Sequence, residues 1–295
     1  MIIEKMFFRN YREKVLVLIK FLVKKIDSVF FREFFIKVYK KNKKQDGVRT
    51  VVSAATPAAM TPSASYNFLE NFGTKFEYRF VVHYKKNNSS LLAELCDKYG
   101  SDKGEIKKTG HPYPWPSHSY TDFYSRLFDH SRFEVKRVFE CGLGTTDTSI
   151  FANMGVDGKP GASLRVWRDY FPNAQVIGAD IDRRVLFEEE RIKTFYLDQT
   201  DPAVIAEFWN NIGLGDFDFM LDDGYHSYEA GICLFENSVS RLSRDGIYII
   251  EDVGELNLLK FKDYFADKKF QVDFISLLRP NLELSDNSLV VIRRS

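Results

Sequence analysis

The chain of 295 residues is long enough for one large domain, or for one domain with an appendage. A hydrophobic fraction of 44% and a charged fraction of 28% are ordinary for a globular protein. Its three cysteines are scattered with no metal-like spacing, which argues against a disulfide framework or a cysteine metal site and favours a reducing compartment.

The net charge of +1 conceals a strongly basic N-terminal segment. Residues 1–44 contain 13 Lys/Arg and 4 Asp/Glu, a balance of +9, so the rest of the chain carries −8. This asymmetry points to an anionic partner for the N-terminal segment alone. Because the remaining body is acidic, no nucleic-acid partner is expected.

Residues 1–44 have the pattern of a basic amphipathic helix. Apolar side chains recur at every third or fourth position, at Tyr11, Val15, Leu18, Leu22, Ile26 and Val29. The longest uncharged apolar run, residues 15–19, is far too short to span a membrane, and no signal-peptide cleavage site follows. Two interpretations stay open. The helix either lies on an anionic surface, as in a cytoplasmic protein peripheral to the inner face of the membrane, or packs on the body or on another subunit of a homo-oligomer.

A linker is predicted over residues 45–66. Its second half is rich in Ala, Ser, Thr and Pro, without charge or periodicity, and offers little bulky apolar surface to offset the entropy of ordering. We therefore place a domain boundary here and expect a folded domain over residues 67–295. Within it, residues 67–90 are ambiguous, with a possible short strand at 78–82 and a loop at 85–90.

Helices and strands alternate through most of this domain. Helices are predicted at 91–99, 120–128, 163–171, from Asp201-Pro202 onwards, 228–242 and 255–266. Strands are predicted at 135–140, 175–180, 194–198, 217–221, 247–250, 270–278 and 288–292. Such alternation indicates an α/β fold, a Rossmann-like seven-stranded and mostly parallel sheet with helices on both faces. Ligands of such sheets bind beyond the carboxyl ends of the strands.

Two predicted strands end in acidic residues. The strand at 217–221 runs into Asp222, Asp223 and, after a glycine turn, His226, and the strand at 247–250 runs into Glu251 and Asp252. Neighbouring parallel strands would bring these carboxylates to one rim of the sheet. Carboxylate oxygens suit a hard cation such as Mg²⁺, whereas solvated strand-end acids and a turn histidine are the simpler alternative.

Three earlier strands end in residues suited to a nucleoside cofactor, namely Glu140, Asp180 and, at the third strand, Asp198 with Gln199. Glu140 closes the first strand and is followed by a turn containing Gly142 and Gly144, which is not a dinucleotide motif because Asp147 replaces its third glycine. Asp180 closes the second strand, where a carboxylate can bind ribose hydroxyls. A tight turn and a solvated acid would explain each feature singly, but their order along the chain is more specific.

Several motifs in this order resemble one known family, the class I S-adenosylmethionine-dependent O-methyltransferases of the macrocin/mycinamicin sugar type, with cephalosporin-hydroxylase-like relatives. The resemblance covers about residues 91–255 and leaves the first 90 residues outside. The matching segments are 99–104 (YGSDKG), 140–144 (ECGLG), 161–172 (GASLRVWRDYFP), 178–182 (GADID), 198–201 (DQTD), 222–226 (DDGYH) and 250–252 (IED).

The resemblance implies two bound groups, S-adenosylmethionine and a divalent metal such as Mg²⁺. Its cofactor residues would be Glu140, Gly142 and Gly144 at the methionine and ribose end, Asp180 at the ribose hydroxyls, and Asp198 and Gln199 near the adenine. Its metal ligands would be Glu251, Asp252 and one of the Asp222/Asp223 pair, where Asp223 is favoured. His226 would be the general base for the hydroxyl oriented by Asp223 and the metal.

The implied reaction is methyl transfer to a hydroxyl of a sugar in a nucleotide-sugar, a glycan or a glycosylated natural product. The resemblance also makes residues 67–295 a methyltransferase domain. The segment 145–160 departs from the family pattern, and His118 in the proline-rich loop is assigned no catalytic role. Two alternatives remain. One is a related metal-dependent enzyme that performs oxidation or hydrolysis, and the other is a surface-tethered binding protein without activity.

Overall fold

The computed structural model describes residues 84–86, 89–107, 112–113, 115–279 and 284–295. The predicted N-terminal helix, the linker and the strand predicted at 78–82 lie outside these residues. Within the described part of the chain, no helix is both long and apolar enough to cross a membrane.

Six α-helices lie among the described residues. They are α1 (Leu91–Tyr99), α2 (Tyr120–Phe128), α3 (Ala162–Tyr170), α4 (Pro202–Ile212), α5 (Tyr228–Ser238) and α6 (Glu255–Phe265). Local chemistry sets their ends. The hydroxyl of Ser90 accepts the amide of Ala93 at the start of α1, and Gly100 ends that helix in the left-handed conformation. Asp201 accepts two amides of the first turn of α4, which begins with Pro202 as predicted.

The described residues form one sheet of eight strands. The strands are β1 (Arg137–Cys141), β2 (Gln175–Asp180), β3 (Glu188–Glu189), β4 (Ile192–Tyr196), β5 (Phe217–Asp222), β6 (Leu242–Ile250), β7 (Phe270–Ser276) and β8 (Ser288–Arg294). Their order is β3-β4-β2-β1-β5-β6-β8-β7. The five central strands are parallel, and β3, β7 and β8 pair antiparallel.

The predicted mostly parallel Rossmann-like sheet is confirmed, but its strand number was wrong. The strand that was not predicted, β3, has two residues and pairs with the start of β4. Two residues are too few for any alternation of polar and apolar side chains to show. The predicted terminal pair, β7 with β8, is present.

The helix predicted at 228–242 is also too long. α5 ends at Ser238, a single 3₁₀ turn follows, and Leu242 already belongs to β6. Val239 and Leu242 continue the helical spacing of apolar residues, although only packing against the sheet decides where the helix stops.

Helices cover both faces of the sheet, as predicted. Phe139, Ile177 and Met220 point to the face covered by α4, α5 and α6, where one buried apolar cluster lies. Their chain neighbours point the other way, so that Val138 and Phe219 pack with residues of α1, α2 and α3 in a second cluster. Both faces of the central strands are thus anchored in apolar packing, which fixes the position of the strand ends.

Candidate active site

The carboxyl ends of the central strands meet at one edge of the sheet. Cys141, the last residue of β1, pairs with Ala179 on one side and with Asp222 on the other, and Asp222 pairs with Ile250. The predicted strand-end acids therefore lie side by side. This is the edge at which ligands bind in open α/β sheets.

Asp223, His226 and Asp252 form a compact group at this edge. Each offers a ligand atom, and these atoms all lie within 4.8 Å of one another. Nδ1 of His226 lies 3.5 Å from a carboxylate oxygen of Asp252 and has no hydrogen-bond partner among the described residues. The two carboxylates, both partly open to solvent, are hard oxygen donors that fit a divalent cation such as Mg²⁺, and the imidazole lies beside them.

Two members of this group have unusual backbone conformations. The φ angles of His226 and Asp252 are +56° and +52°, in the left-handed region that residues other than glycine rarely adopt. Such strain persists only where surrounding contacts enforce it, and it concentrates at functional sites. Tyr120 supplies one such contact, since its hydroxyl donates to a carboxylate oxygen of Asp252 at 2.6 Å and accepts the Asp252 amide at 3.2 Å.

Asp222, the other member of the aspartate pair, lines the same pocket as His226 and Asp252 but is not one of the three clustered ligand residues. One of its oxygens accepts hydrogen bonds from Nε2 of Gln199 at 3.1 Å and from the amide of Gly224 at 3.3 Å. Burial raises the pKa of Asp222 to about 6, against the effect of the Gln199 bond. The local geometry therefore gives Asp222 a structural place in the turn after β5 and leaves Asp223 with the candidate metal group.

Glu251, the third predicted metal ligand, lies beside the group but is held by protein atoms. Lys103 donates to its Oε2, and the hydroxyl of Tyr124 donates to its Oε1 at 2.5 Å. Burial raises the pKa of Glu251 well above its usual range, and the Lys103 ammonium opposes that effect. The metal assignment of Glu251 stays a prediction.

Glu140 points into the same region from the end of β1. Its Oε2 accepts the indole N–H of Trp167 at 2.8 Å, whereas its Oε1 is buried without a hydrogen bond among the described residues. Burial raises the pKa of Glu140 to about 7, against the effect of Lys103. A buried acceptor of this kind fits a ligand that brings a donor, such as an amino group.

The two predicted cofactor glycines adopt left-handed conformations, with φ of +97° at Gly142 and +80° at Gly144. A side chain at Gly142 would collide with the carbonyl of Asp223, and one at Gly144 would collide with Met154. The two glycines therefore allow segments of the chain to approach each other closely. At Gly142 the turn after β1 lies directly against Asp223, a member of the candidate metal group.

The other predicted cofactor residues are also engaged with the chain. Asp180 accepts the amides of Leu143 at 2.7 Å and of Asp182 at 2.8 Å, one on each oxygen. Each carboxylate oxygen retains a second lone pair for a hydroxyl group. Asp198 accepts the amide and hydroxyl of Thr200 at 2.9 and 2.6 Å.

Gln199 is buried and ties two strand ends together. Its Nε2 bonds Asp222, and its Oε1 accepts the amide of Tyr225 at 2.7 Å. Gln199 therefore fixes the turn that carries Asp223 and His226, in addition to its predicted place near the adenine of the cofactor.

Several residues of the site were not predicted from the sequence. Lys103 lies in the motif 99–104, to which no role was assigned, and it contacts three of the site's acids. Tyr120 and Tyr124, four residues apart on α2, bond Asp252 and Glu251, and this spacing on a predicted helix was the available signal. His118, set aside in the proline-rich loop, lies with Nε2 3.6 Å from Asp252.

No protein-family model matches the chain. The chain is 31% identical over 188 residues to the 8-demethyl-8-alpha-L-rhamnosyl tetracenomycin-C 2'-O-methyltransferase of Streptomyces olivaceus, covering 63% of this chain and 44% of that protein.

Two further relatives are O-methyltransferases by name. Demethylmacrocin O-methyltransferase of Streptomyces fradiae is 31% identical over 61% of this chain and 43% of its own. Mycinamicin VI 2''-O-methyltransferase of Micromonospora griseorubida is 32% identical over 63% of this chain and 43% of its own. This chain thus spans less than half the length of each. The resemblance predicted from the motifs is confirmed: over about three fifths of its length the chain is similar in sequence to O-methyltransferases of the macrocin and mycinamicin type.

Proposed function

We propose that the protein transfers a methyl group from S-adenosylmethionine to a hydroxyl group of a sugar, assisted by a divalent metal, most simply Mg²⁺. The observation that carries this proposal is the group formed by Asp223, His226 and Asp252 at the carboxyl edge of the sheet. It combines a donor set for a metal with an imidazole that can take a proton, and two of its residues are held in strained conformations.

The metal would be held by Asp223 and Asp252, with Glu251 as the third predicted ligand. A divalent cation bound there would lower the pKa of an acceptor hydroxyl. His226 is the proposed general base, because a neutral imidazole has a nitrogen that can accept a proton and its Nδ1 makes no hydrogen bond among the described residues. The cofactor would supply the methyl group from its sulfonium sulfur to the acceptor oxygen, and His226 would take the proton of the hydroxyl. The products would be a methyl ether and S-adenosylhomocysteine.

The cofactor would lie along the ends of β1, β2 and β4. Oε1 of Glu140, which makes no hydrogen bond among the described residues and lies 3.5 Å from the Lys103 ammonium, suits the amino group of the methionine part. The remaining acceptor capacity of the Asp180 carboxylate suits the ribose hydroxyls. Gly142 and Gly144 shape the turn between these two acids. Asp198 and Gln199 follow β4, the proposed side of the adenine.

The acceptor side of the site would include two exposed rings. The rings of Phe151 and Tyr225 lie with centroids 4.8 Å apart and planes tilted by 43°, and the two residues are 41% and 42% exposed. Tyr225 directly precedes His226, so the rings lie beside the proposed base. Aromatic faces suit the apolar C–H face of a sugar or an attached aglycone. The acceptor would then be a nucleotide-sugar, a glycan or a glycosylated natural product.

This acceptor surface can be tested by Phe151→Ala. We expect KM for the acceptor to rise about fivefold to tenfold, as for a lost contact of roughly 1 kcal/mol, with little change in kcat. A fall in kcat of about the same size, with an unchanged KM, would contradict a contact between Phe151 and the acceptor.

The helix, linker and domain boundary predicted from the sequence remain part of the proposal. Residues 1–44 would form a basic amphipathic helix, 45–66 a linker and 67–295 the methyltransferase domain. The helix would place a cytoplasmic protein at the inner face of the membrane, or else pack against a second copy. Flotation with anionic liposomes tests the first idea. Full-length protein that stays at the bottom together with a 1–44 peptide would rule out the membrane contact.

The catalytic proposal is tested by calorimetry and an acceptor screen. S-adenosylhomocysteine should bind in the micromolar range, and mass spectrometry should detect one added methyl group on a glycosylated acceptor. Absence of cofactor binding would contradict the methyltransferase assignment. Cofactor binding without transfer to any class of sugar acceptor would favour a binding protein. An oxidised or hydrolysed acceptor would favour a related metal enzyme.

A further inference from the structure

Lys103 lies at the centre of the acidic edge and is almost completely buried, with 4% of its surface exposed. Its ammonium donates to Asp223 Oδ2 at 2.6 Å and to Glu251 Oε2, and lies 3.5 Å from Glu140 Oε1. These three acids follow or end three different strands. One side chain from a loop therefore connects the ends of β1, β5 and β6.

The charges show why such a contact is needed. An ammonium has three N–H donors, and here each has a carboxylate beside it. Glu140 and Glu251 are fully buried, and no other Lys, Arg or His forms an ion pair with these two acids or with Asp223 in the part of the chain that the structure describes. A buried carboxylate without a partner is strongly unfavourable, and neighbouring carboxylates repel each other.

The same contact also restricts access to the metal ligands. Lys103 takes one oxygen of Asp223 and one of Glu251, and the second oxygen of Glu251 accepts the Tyr124 hydroxyl. Glu251 can ligate a metal only by sharing or giving up one of these bonds. A divalent cation at the group of Asp223, His226 and Asp252 would also be repelled by the ammonium.

We propose that Lys103 is the built-in counter-ion of the metal site. It holds Asp223 and Glu251 in place and offsets part of their negative charge when no metal is bound, and it weakens metal binding so that the ion exchanges. This role rests on the proposed metal-assisted function. Lys103 itself would touch neither the metal nor the acceptor, so it acts as a positioning residue.

The test compares wild type with Lys103→Met and with Lys107→Met, a control in the same segment whose ammonium pairs with Glu105 and is 55% exposed. Tm is measured in chelator and in Mg²⁺, and the affinities for Mg²⁺ and Mn²⁺ are measured by calorimetry. In chelator, Lys103→Met should lower Tm by about 10 °C, the shift expected for an unpaired buried charge. Mg²⁺ should restore most of this loss and should bind about tenfold more tightly than to wild type. Lys107→Met should behave as wild type.

A second variant covers the case in which Lys103→Met does not fold. Combining it with Glu251→Gln removes both charges of the buried pair, so this double variant should fold in chelator and gain little from Mg²⁺. Failure of the double variant to fold would overturn the proposal.

The remaining outcomes separate this inference from the proposed function. Wild type that binds neither Mg²⁺ nor Mn²⁺ would contradict both. Wild type that binds metal, with Lys103→Met showing the same affinity and the same gain in Tm, would overturn only the role of Lys103. A Lys103→Met protein that keeps both properties but loses methyl transfer would instead make Lys103 part of the chemistry.

Discussion

Two ionic networks in this protein lie in different surroundings. In the first, Lys103 lies among Glu140, Asp223 and Glu251, with side-chain exposures between 0% and 24%. In the second, Arg165 and Arg168 of α3 bind Glu189 of β3, with exposures between 18% and 34%. The first network joins the ends of three strands at the candidate site, whereas the second connects a short edge strand to a helix.

The comparison shows how burial decides what a charge can do. Water screens the Glu189 network, so its loss should cost little. Burial removes that screening at the Lys103 network. Removal of one partner there should therefore lower the free energy of unfolding strongly, because the remaining charge stays buried without its partner. The strained backbone at His226 and Asp252 lies beside the buried network, where its surroundings can hold it.

The largest expected effect is on catalysis. His226→Ala should lower the rate of methyl transfer by about 100-fold to 10,000-fold, the usual contribution of a general base. Affinity for S-adenosylhomocysteine should be unchanged, because the proposed cofactor residues lie on other strand ends. His130→Ala, at an exposed position after α2, is the matched control. Equal activity of both variants would exclude His226 as the base.

The next effect is on stability and compares two buried tyrosines. The hydroxyl of Tyr124 donates to the buried Glu251 at 2.5 Å, and that of Tyr170 donates at 2.6 Å to Asp129, which is exposed. Tyr124→Phe leaves a buried acceptor unsatisfied and should lower the free energy of unfolding by roughly 1–3 kcal/mol. Tyr170→Phe should lower it by about 1 kcal/mol or less, since water can replace the lost donor.

Denaturant titration in chelator measures both tyrosine variants. The reverse order of the two losses would mean that burial of the Lys103 network does not set its energetic importance.

The smallest effect is expected in the exposed network. Glu189→Gln should lower the free energy of unfolding by about 1 kcal/mol or less at low salt, and by less still at high salt. Hydrogen bonds from Arg165 lower the pKa of Glu189. The stabilisation is therefore present above the unfolded pKa of about 4.3 and is lost as the pH falls through the lower folded value.

A pH series of unfolding curves checks this prediction. The difference between wild type and Glu189→Gln should shrink in acid, and a difference that grows in acid would contradict the assignment.

Local patterns were sufficient for most of the fold. The predicted bounds of α1 and α2 match the structure, because Ser90 and Gly100 mark the ends of α1 and apolar spacing marks α2. Alternating elements gave the parallel sheet and the edge where the acids meet. The two-residue β3 and the end of α5 were missed, because only contacts with neighbouring elements determine them.

The candidate site was harder to predict than the fold. Asp223, His226 and Asp252 directly follow buried strands, so their common location could be read from the chain. Lys103 lies in an irregular loop, 120 and 148 residues before its partners Asp223 and Glu251. No periodicity or spacing in a single sequence connects positions so far apart.

The most direct test of the account is a mass-spectrometric assay of methyl transfer. Full-length protein is incubated with S-adenosylmethionine and glycosylated acceptors, with Mg²⁺ or with chelator, beside Asp252→Asn. We expect a methylated product with Mg²⁺, which chelator or the substitution abolishes. Transfer that continues undiminished in chelator and in Asp252→Asn would contradict a metal-assisted site at Asp223, His226 and Asp252.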